Sequence, residues 1–216
     1  MTKLGFYGKV PSRGDFVSRG LPESFIRPWD AWLAAGLHTS RQQLGDDWLS
    51  AYLISPLWRF ALASGVCGVD AVVGVSMPSV DRVGRYFPLT VAQLIEPEQS
   101  LAALVSGPED WFEHVEALLL ATLEEDADFT QFEGAVAALD CLPTTSTQPV
   151  HQVANLQHSG AADPRSRQQM LADLACDGVS LWWGKGSEHI APGLMRCSGL
   201  PDVAFFSCLL GQGGCV

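Results

Sequence analysis

The chain has 216 residues and a formal net charge of −11, with 47% apolar and 17% charged residues. This excess of carboxylates argues against nucleic acid as a partner, because the phosphate backbone would be repelled. The sequence has no apolar run of about 18 residues and no signal-peptide pattern at its start, so it predicts no membrane span and favours a cytoplasmic protein.

The apolar periodicity predicts strands at both ends of the chain and helices between them. The strands share β-branched and aromatic residues and are predicted over 3–8, 58–63, 71–77, 87–95, 179–184, 190–195 and 203–210. The helices share apolar residues at helical spacing and are predicted from 24 or 28 to 44 and over 46–54, 98–105, 109–125, 130–140 and 165–174. The tryptophans between residues 29 and 58 indicate core packing more than a ligand groove.

Strands that bracket a helical middle predict an α/β fold, with one domain over residues 1–216 and a mixed β-sheet flanked by helices. In such a sheet, the strand over 3–8 is expected to pair with the C-terminal strands. The polar, turn-rich segment 143–149 is the place where a subdivision would fall.

The sequence lacks the short motifs that indicate a metal or nucleotide site. No pair of the six cysteines has the C-x-x-C spacing, and the histidines form no H-x-x-x-H group. The segment 184–187 has neither the first glycine nor the hydroxyl residue after lysine that a phosphate-binding loop needs. We therefore predict no cofactor and no metal.

Two loops have the most unusual composition in the chain. Each follows a predicted strand and a proline, and each mixes a hydroxyl group, a cation and an anion. Their candidate residues, for which we predict a partner-binding role, are Ser12, Arg13, Asp15, Ser79, Asp81, Arg82 and Arg85. If the two strands are neighbours, the loops meet at one sheet edge, where Arg13, Arg82 and Arg85 could bind a phosphate or carboxylate.

Two other interpretations of these loops stay open. In the first, Asp15 and Asp81 pair with the arginines and serve only to fix the shape of the loops. The residue types, taken by themselves, favour this interpretation. The loops could also be catalytic, but carboxylates without a neighbouring histidine or cysteine are a poor catalytic set. We therefore assign no catalytic residue and expect a non-enzymatic protein.

The same stretches resemble a known protein family. Residues 5–16, 28–33, 40–41, 58–60 and 77–89 are similar to the markers of the TagF (also ImpM) family of type VI secretion-associated proteins. The similarity is dense over residues 4–95 and weak after residue 100.

This resemblance implies a cytoplasmic accessory protein of the secretion apparatus with a three-layer α/β/α fold. It also implies a post-translational repressor that binds a forkhead-associated-domain scaffold protein, and it supplies no catalytic residues. Two alternatives remain. One is a hydrolase that uses Ser12 or Ser79, and the other is a structural subunit that makes its contacts through exposed Trp29, Trp32 or Trp48.

Overall fold

The structure, a computed structural model, describes residues 4–143, 146–147, 150–154, 156–161 and 163–211. The strands within these ranges are β1 (Leu4–Gly8), β2 (Val17–Arg19), β3 (Trp58–Leu62), β4 (Ala71–Met77), β5 (Leu89–Ile95), β6 (Val150–Val153), β7 (Leu156–Ser159), β8 (Val179–Gly184) and β9 (Gly193–Ser198). The helices are α1 (Glu23–Leu44), α2 (Trp48–Ile54), α3 (Leu101–Ser106), α4 (Glu109–Ala121), α5 (Phe129–Ala137), α6 (Pro164–Ala175) and α7 (Phe206–Leu209). Seven strands form one sheet in the order β2-β1-β5-β4-β3-β8-β9, and β6 and β7 form a separate hairpin.

Every neighbouring pair of strands in the seven-stranded sheet is antiparallel, whereas the sequence pattern predicts a mixed sheet. Direct connections join β1 to β2, β3 to β4, β4 to β5 and β8 to β9, so these pairs need no crossover. The prediction that β1 pairs with the C-terminal strands is wrong, because β1 lies between β2 and β5. β8 pairs with β3, so the sheet takes strands from both sides of segment 143–149.

Helices cover both faces of the sheet. On one face α1, α2 and α7 bury an aromatic cluster around Trp29 and Trp182. On the other face α3, α4 and α5 pack through Leu104, Phe112 and Phe132. This arrangement confirms the three-layer α/β/α expectation and explains why β4 and β5 are buried along their whole length.

The largest differences from the predicted elements lie in the second half of the chain. The strand predicted over 203–210 is wrong, because a 3-10 turn over Val203–Phe205 leads there into α7. Phe206, Leu209 and Leu210 are buried at helical spacing, but an apolar run of this length is equally typical of a buried strand. β2, β6 and β7 were too short and too polar to be predicted, and the strand predicted over 190–195 is shifted to β9.

Segment 143–149, where a subdivision would fall, is only partly described. Residues 144, 145, 148 and 149 lie outside the described residues, as does residue 3 of the first predicted strand. The Thr147 amide donates to the Glu98 carbonyl at 2.7 Å, and Ser146 forms a β-bridge with Gln99. These contacts fasten the segment to the chain before α3, and the assignment of one domain to residues 1–216 stays a prediction.

Candidate functional site

The two loops singled out by their composition leave the same end of the sheet. β1 and β4 both run antiparallel to β5, which lies between them, so the two strands end on the same side. Loop 1 (residues 9–16) follows β1, and loop 2 (residues 78–88) follows β4. At Gly8 a Cβ atom would lie 2.1 Å from the Pro88 carbonyl oxygen, so only glycine allows this close approach. The strands are thus not direct neighbours, but the loops still meet across the end of β5.

Hydrogen bonds join the two loops directly. The Arg82 amide donates to the Arg13 carbonyl at 2.9 Å, and the Ser79 hydroxyl donates to the Lys9 carbonyl at 2.8 Å. The Arg85 guanidinium also donates to a main-chain carbonyl of loop 1, that of residue 14. Residues 9–16 and 78–88 therefore form one continuous surface, which we call the paired-loop surface.

Asp81 is the centre of hydrogen bonding within the paired loops. Its carboxylate is buried and accepts from Lys9 Nζ and from Arg85 Nε, both at 2.6 Å. It also accepts from the main-chain amides of Val83 at 3.0 Å and Arg85 at 2.9 Å. Burial raises the pKa of a carboxyl group, but these donors outweigh burial and hold the pKa of Asp81 well below its usual range. Asp81 is therefore ionised, and its charge fixes the turn of loop 2.

Tyr52 on α2 supports loop 2 from beneath. Its hydroxyl donates to the Ser79 carbonyl and accepts from the Ser79 amide, both at 2.9 Å. Burial raises the pKa of the Tyr52 hydroxyl, so the hydroxyl stays protonated and keeps its donor. Sequence reasoning missed both Tyr52 and Lys9 as parts of the site, since no spacing relates either residue to Asp81.

The predicted site residues divide into an internal set and an exposed set. Ser79 and Asp81 are 4% and 3% exposed, so they hold the loops together and are not presented to a partner. Ser12 is partly buried at the edge of loop 1. The exposed set consists of Arg13, Asp15, Arg82 and Arg85. The pairing of Asp81 with Arg85 agrees with the interpretation that internal ion pairs shape the loops, and Asp15 also lies 3.9 Å from Arg85.

The three arginines of the predicted clamp are oriented by different neighbours. The Arg13 guanidinium lies over the ring of Phe129 on α5, 4.8 Å from the ring centroid. Arg85 is held by Asp81, and the Arg82 side chain pairs with no carboxylate among the described residues. The structure thus brings the loops together without arranging these arginines as one clamp.

The paired-loop surface lies within residues 5–139, which match the family model described as "TagF N-terminal domain, Type VI secretion system-associated". The match covers more than half of the chain. The chain belongs to the TagF family. The resemblance seen over residues 4–95 is therefore confirmed, and the match extends through α4 and α5, where the sequence offered little to support it.

A solved structure has the same fold as this TagF-family chain. The crystal structure of PA0076 from Pseudomonas aeruginosa PAO1 is 54% identical in sequence and covers 99% of this chain and 96% of its own, with a TM-score of 0.95. The likeness therefore includes the part after residue 139 that the family model does not reach. No curated protein matches the chain.

A second polar cluster in this TagF-family chain lies under α4, and sequence reasoning did not identify it. Arg59 on β3 is buried, donates from Nε to Glu116 at 2.6 Å and pairs with Glu109. Lys185 Nζ lies 2.9 Å from Glu113 and 3.5 Å from Glu116. The sequence pattern that could have indicated this cluster is an arginine inside an apolar strand, together with three glutamates spaced by four and three residues along α4. This network fastens α4 to the sheet.

The described part of the chain has neither a candidate metal site nor a candidate membrane span. No group of three or more His, Cys, Asp or Glu side chains in those ranges is arranged to hold a metal ion. None of the helices in the same ranges combines the length and the apolar character needed to cross a bilayer.

Proposed function

We propose that this protein is a non-enzymatic, cytoplasmic regulator of the type VI secretion system that binds a forkhead-associated-domain scaffold protein through the paired-loop surface. Binding would repress the apparatus post-translationally. The family description, type VI secretion system-associated, supports the cellular setting. The choice of partner and the repressive effect rest on the resemblance to the TagF family.

The paired-loop surface combines a backbone fixed by hydrogen bonds with two exposed cations that no carboxylate in the described ranges neutralises, and this combination supports the proposal. Asp81 and Tyr52 fix the loop backbone from inside, so little ordering is needed when a partner binds. Arg13 and Arg82 are exposed and pair with no carboxylate among the described residues. On a chain with a net charge of −11, two such cations favour contact with an acidic patch on a partner. Phe16, which is 47% exposed in loop 1, adds an apolar contact.

The hydrolase alternative needs a serine with a base within about 3.2 Å. The Ser79 hydroxyl is buried and donates to the Lys9 carbonyl, so it is not poised to attack a substrate. Ser12 lines a cavity of about 330 Å³, and its hydroxyl has no hydrogen-bond partner in the described ranges. The cavity at Ser12 meets one requirement of a hydrolase, but neither serine hydroxyl is hydrogen-bonded to a base in the described ranges, which favours the binding role.

The structural-subunit alternative predicts exposed tryptophans on the first helices. Trp29, Trp32 and Trp48 are 0%, 8% and 5% exposed, and all three pack in the aromatic cluster under α1 and α2. These tryptophans are therefore not on the surface, where a structural subunit would use them to contact a partner.

Copurification of the full chain with the forkhead-associated-domain protein tests the proposal. The test variant is Arg13→Gln/Arg82→Gln, because only the main chain of these residues joins the loops. The matched control is Arg27→Gln/Arg165→Gln, which removes the same charge from two exposed sites on α1 and α6. We expect the scaffold protein to be lost with the test variant and retained with the control.

Retention of the scaffold protein by a folded test variant would exclude both arginines from the interface. Loss with both variants would show that net charge, not this surface, drives the association. Arg85 is left unchanged because its substitution would also remove a donor from Asp81 and confuse a loss of fold with a loss of binding. Thermal unfolding of each variant provides the check on folding.

A further inference from the structure

A surface cleft of about 460 Å³ opens between the end of α1 and loop 2. Its lining residues are Arg41, Trp48, Leu49, Gly84, Arg85 and Tyr86. Two guanidinium groups and two aromatic rings therefore surround one opening. Arg41 is absent from the site predicted from sequence, because the fold alone brings the end of α1 next to loop 2.

Arg41 contributes a cation that the fold does not neutralise. Its guanidinium carbon lies 4.0 Å from the Trp48 ring centroid, and its side chain has no ion pair or hydrogen bond within the described ranges. Trp48 is itself fixed, since it is buried and its Nε1 donates to the Ser40 hydroxyl at 2.9 Å. Stacking on a fixed ring orients the guanidinium and leaves its N–H donors free. Asp46 and Asp47 are exposed on the turn before α2, and neither pairs with Arg41.

Arg85 contributes the second cation, and its charge is only partly compensated. Its Nε binds Asp81, but Asp81 is shared with the buried Lys9, so two cations face one carboxylate. Asp15 lies 3.9 Å from Arg85 and is fully exposed, where solvent and salt screen its charge. Lys9, Asp81 and Arg85 therefore keep one positive charge, and Arg41 adds another on the opposite side of the cleft.

We propose that this cleft binds a phosphate monoester carried by a side chain of a partner protein. A phosphate monoester has nearly two negative charges at neutral pH, which matches the charge of Arg41 together with the one net positive charge of the Lys9, Asp81 and Arg85 group. Arginine suits this group because a free guanidinium, such as that of Arg41, can donate two parallel hydrogen bonds to phosphate oxygens. Arg85 contributes only the donors that Asp81 and the residue 14 carbonyl do not use. Leu49, which is 39% exposed, and Tyr86 provide apolar contacts for the residues that flank the phosphate. The inference rests on the proposed binding role of the loops and adds the chemistry that the partner must carry.

Isothermal titration calorimetry of the full chain with three short peptides tests this site. The peptides share a leucine-flanked central position and differ only in having phosphoserine, glutamate or serine there. We expect the phosphoserine peptide to bind about tenfold more tightly than the glutamate peptide, because a monoanionic carboxylate satisfies only part of the donors. The serine peptide is expected to bind most weakly of the three.

Arg41→Gln is the decisive variant, because the exposed Arg41 side chain lines the cleft and its guanidinium forms no ion pair in the described ranges. It is expected to weaken phosphoserine binding about tenfold or more, through loss of a charge-assisted contact. Arg27→Gln is the matched control, since it removes the same charge near the start of α1, about 20 Å from Arg41 along the helix. It is expected to leave the affinity unchanged. The Trp48 indole N–H signal in NMR spectra is expected to shift with the phosphoserine peptide.

Three results would overturn the assignment. Equal affinity for the phosphoserine and glutamate peptides would make the cleft a general binding site for acidic side chains. Unchanged affinity in folded Arg41→Gln would place the phosphate elsewhere, and no binding at about 1 mM peptide would remove the site altogether. None of these results involves the scaffold protein, so they are separate from the copurification test with Arg13→Gln/Arg82→Gln.

Discussion

The Tyr52 hydroxyl binds the Ser79 main chain twice, donating to its carbonyl and accepting from its amide at 2.9 Å each. The Ser79 hydroxyl in turn donates to the Lys9 main-chain carbonyl, so Ser79 is held between α2 and the end of β1. Ser79 opens the part of loop 2 that carries Asp81 and Arg82. The position of the exposed Arg82 therefore depends on a buried tyrosine that lies 27 residues before Ser79 in the chain.

We expect Tyr52→Phe to destabilise the protein by about 2 kcal/mol, because the buried Ser79 amide is left without an acceptor. For a domain of this size, this lowers Tm by about 4–8 °C in differential scanning calorimetry. Tyr86→Phe is the matched control, since the Tyr86 hydroxyl has no hydrogen-bond partner in the described ranges. Equal shifts in both variants would show that the double hydrogen bond is not the source of the effect.

Asp81→Asn is expected to lower the free energy of unfolding at neutral pH, because the amide cannot neutralise Lys9 and Arg85. The pKa of Asp81 is lowered in the folded state, so the stability that its charge contributes is present above its ordinary pKa of about 3.9. This stability is lost as the pH falls below that value. In urea unfolding, the gap between wild type and variant is therefore expected to be constant near neutral pH and to narrow below about pH 4.

The control for this experiment is Asp15→Asn, which removes a carboxylate from the same surface at a fully exposed position. Its effect is expected to be small at every pH, because solvent screens an exposed pair. A gap between wild type and Asp81→Asn that stays constant or widens in acid would contradict the assignment of a lowered pKa to Asp81.

Much of the fold could be predicted from sequence because its elements have strong local signals. The apolar runs at β4 and β5 predict strands that are buried on both faces. The spacing of the apolar residues in α1 and α4 predicts helices that pack on one side. α7 has no such signal, since its short apolar run is equally typical of a strand. Its helical state follows from contact with α1, which is a tertiary effect.

The candidate site was predictable only as a set of residue types. Proline, serine and mixed charges mark both loops, but they do not say which arginine pairs with Asp81. That choice depends on the turn of loop 2, which places the amide and the Nε of Arg85 on the same carboxylate. Tyr52 and Arg41 could not be included at all, because they reach the loops from helices that are distant in sequence.

Glu116→Ala is expected to destabilise the protein by about 3 kcal/mol, because it leaves the buried Arg59 with only the exposed Glu109 as a partner. The double variant Arg59→Met/Glu116→Leu is expected to be less destabilising than Glu116→Ala, since it removes both charges and keeps the volume. Glu113→Ala is the control and is expected to be nearly neutral, because its pair with Lys185 is exposed. Urea unfolding measures all three, and a double variant that is at least as destabilised as Glu116→Ala would contradict the assignment of the loss to an unpaired buried charge on Arg59.

Gly36 on α1 lies directly against the ring of Phe206 on α7, and a Cβ atom at residue 36 would lie 2.1 Å from Phe206 Cδ2. In a free helix, Gly→Ala stabilises by about 1 kcal/mol. Here we expect Gly36→Ala to destabilise by about 1–3 kcal/mol, because the ring or α7 must move. In a Phe206→Ala background the same substitution is expected to stabilise, because the obstruction is gone. Tm values of the four proteins test this reversal, and an effect of the same sign in both backgrounds would show that Phe206 is not what excludes a side chain at residue 36.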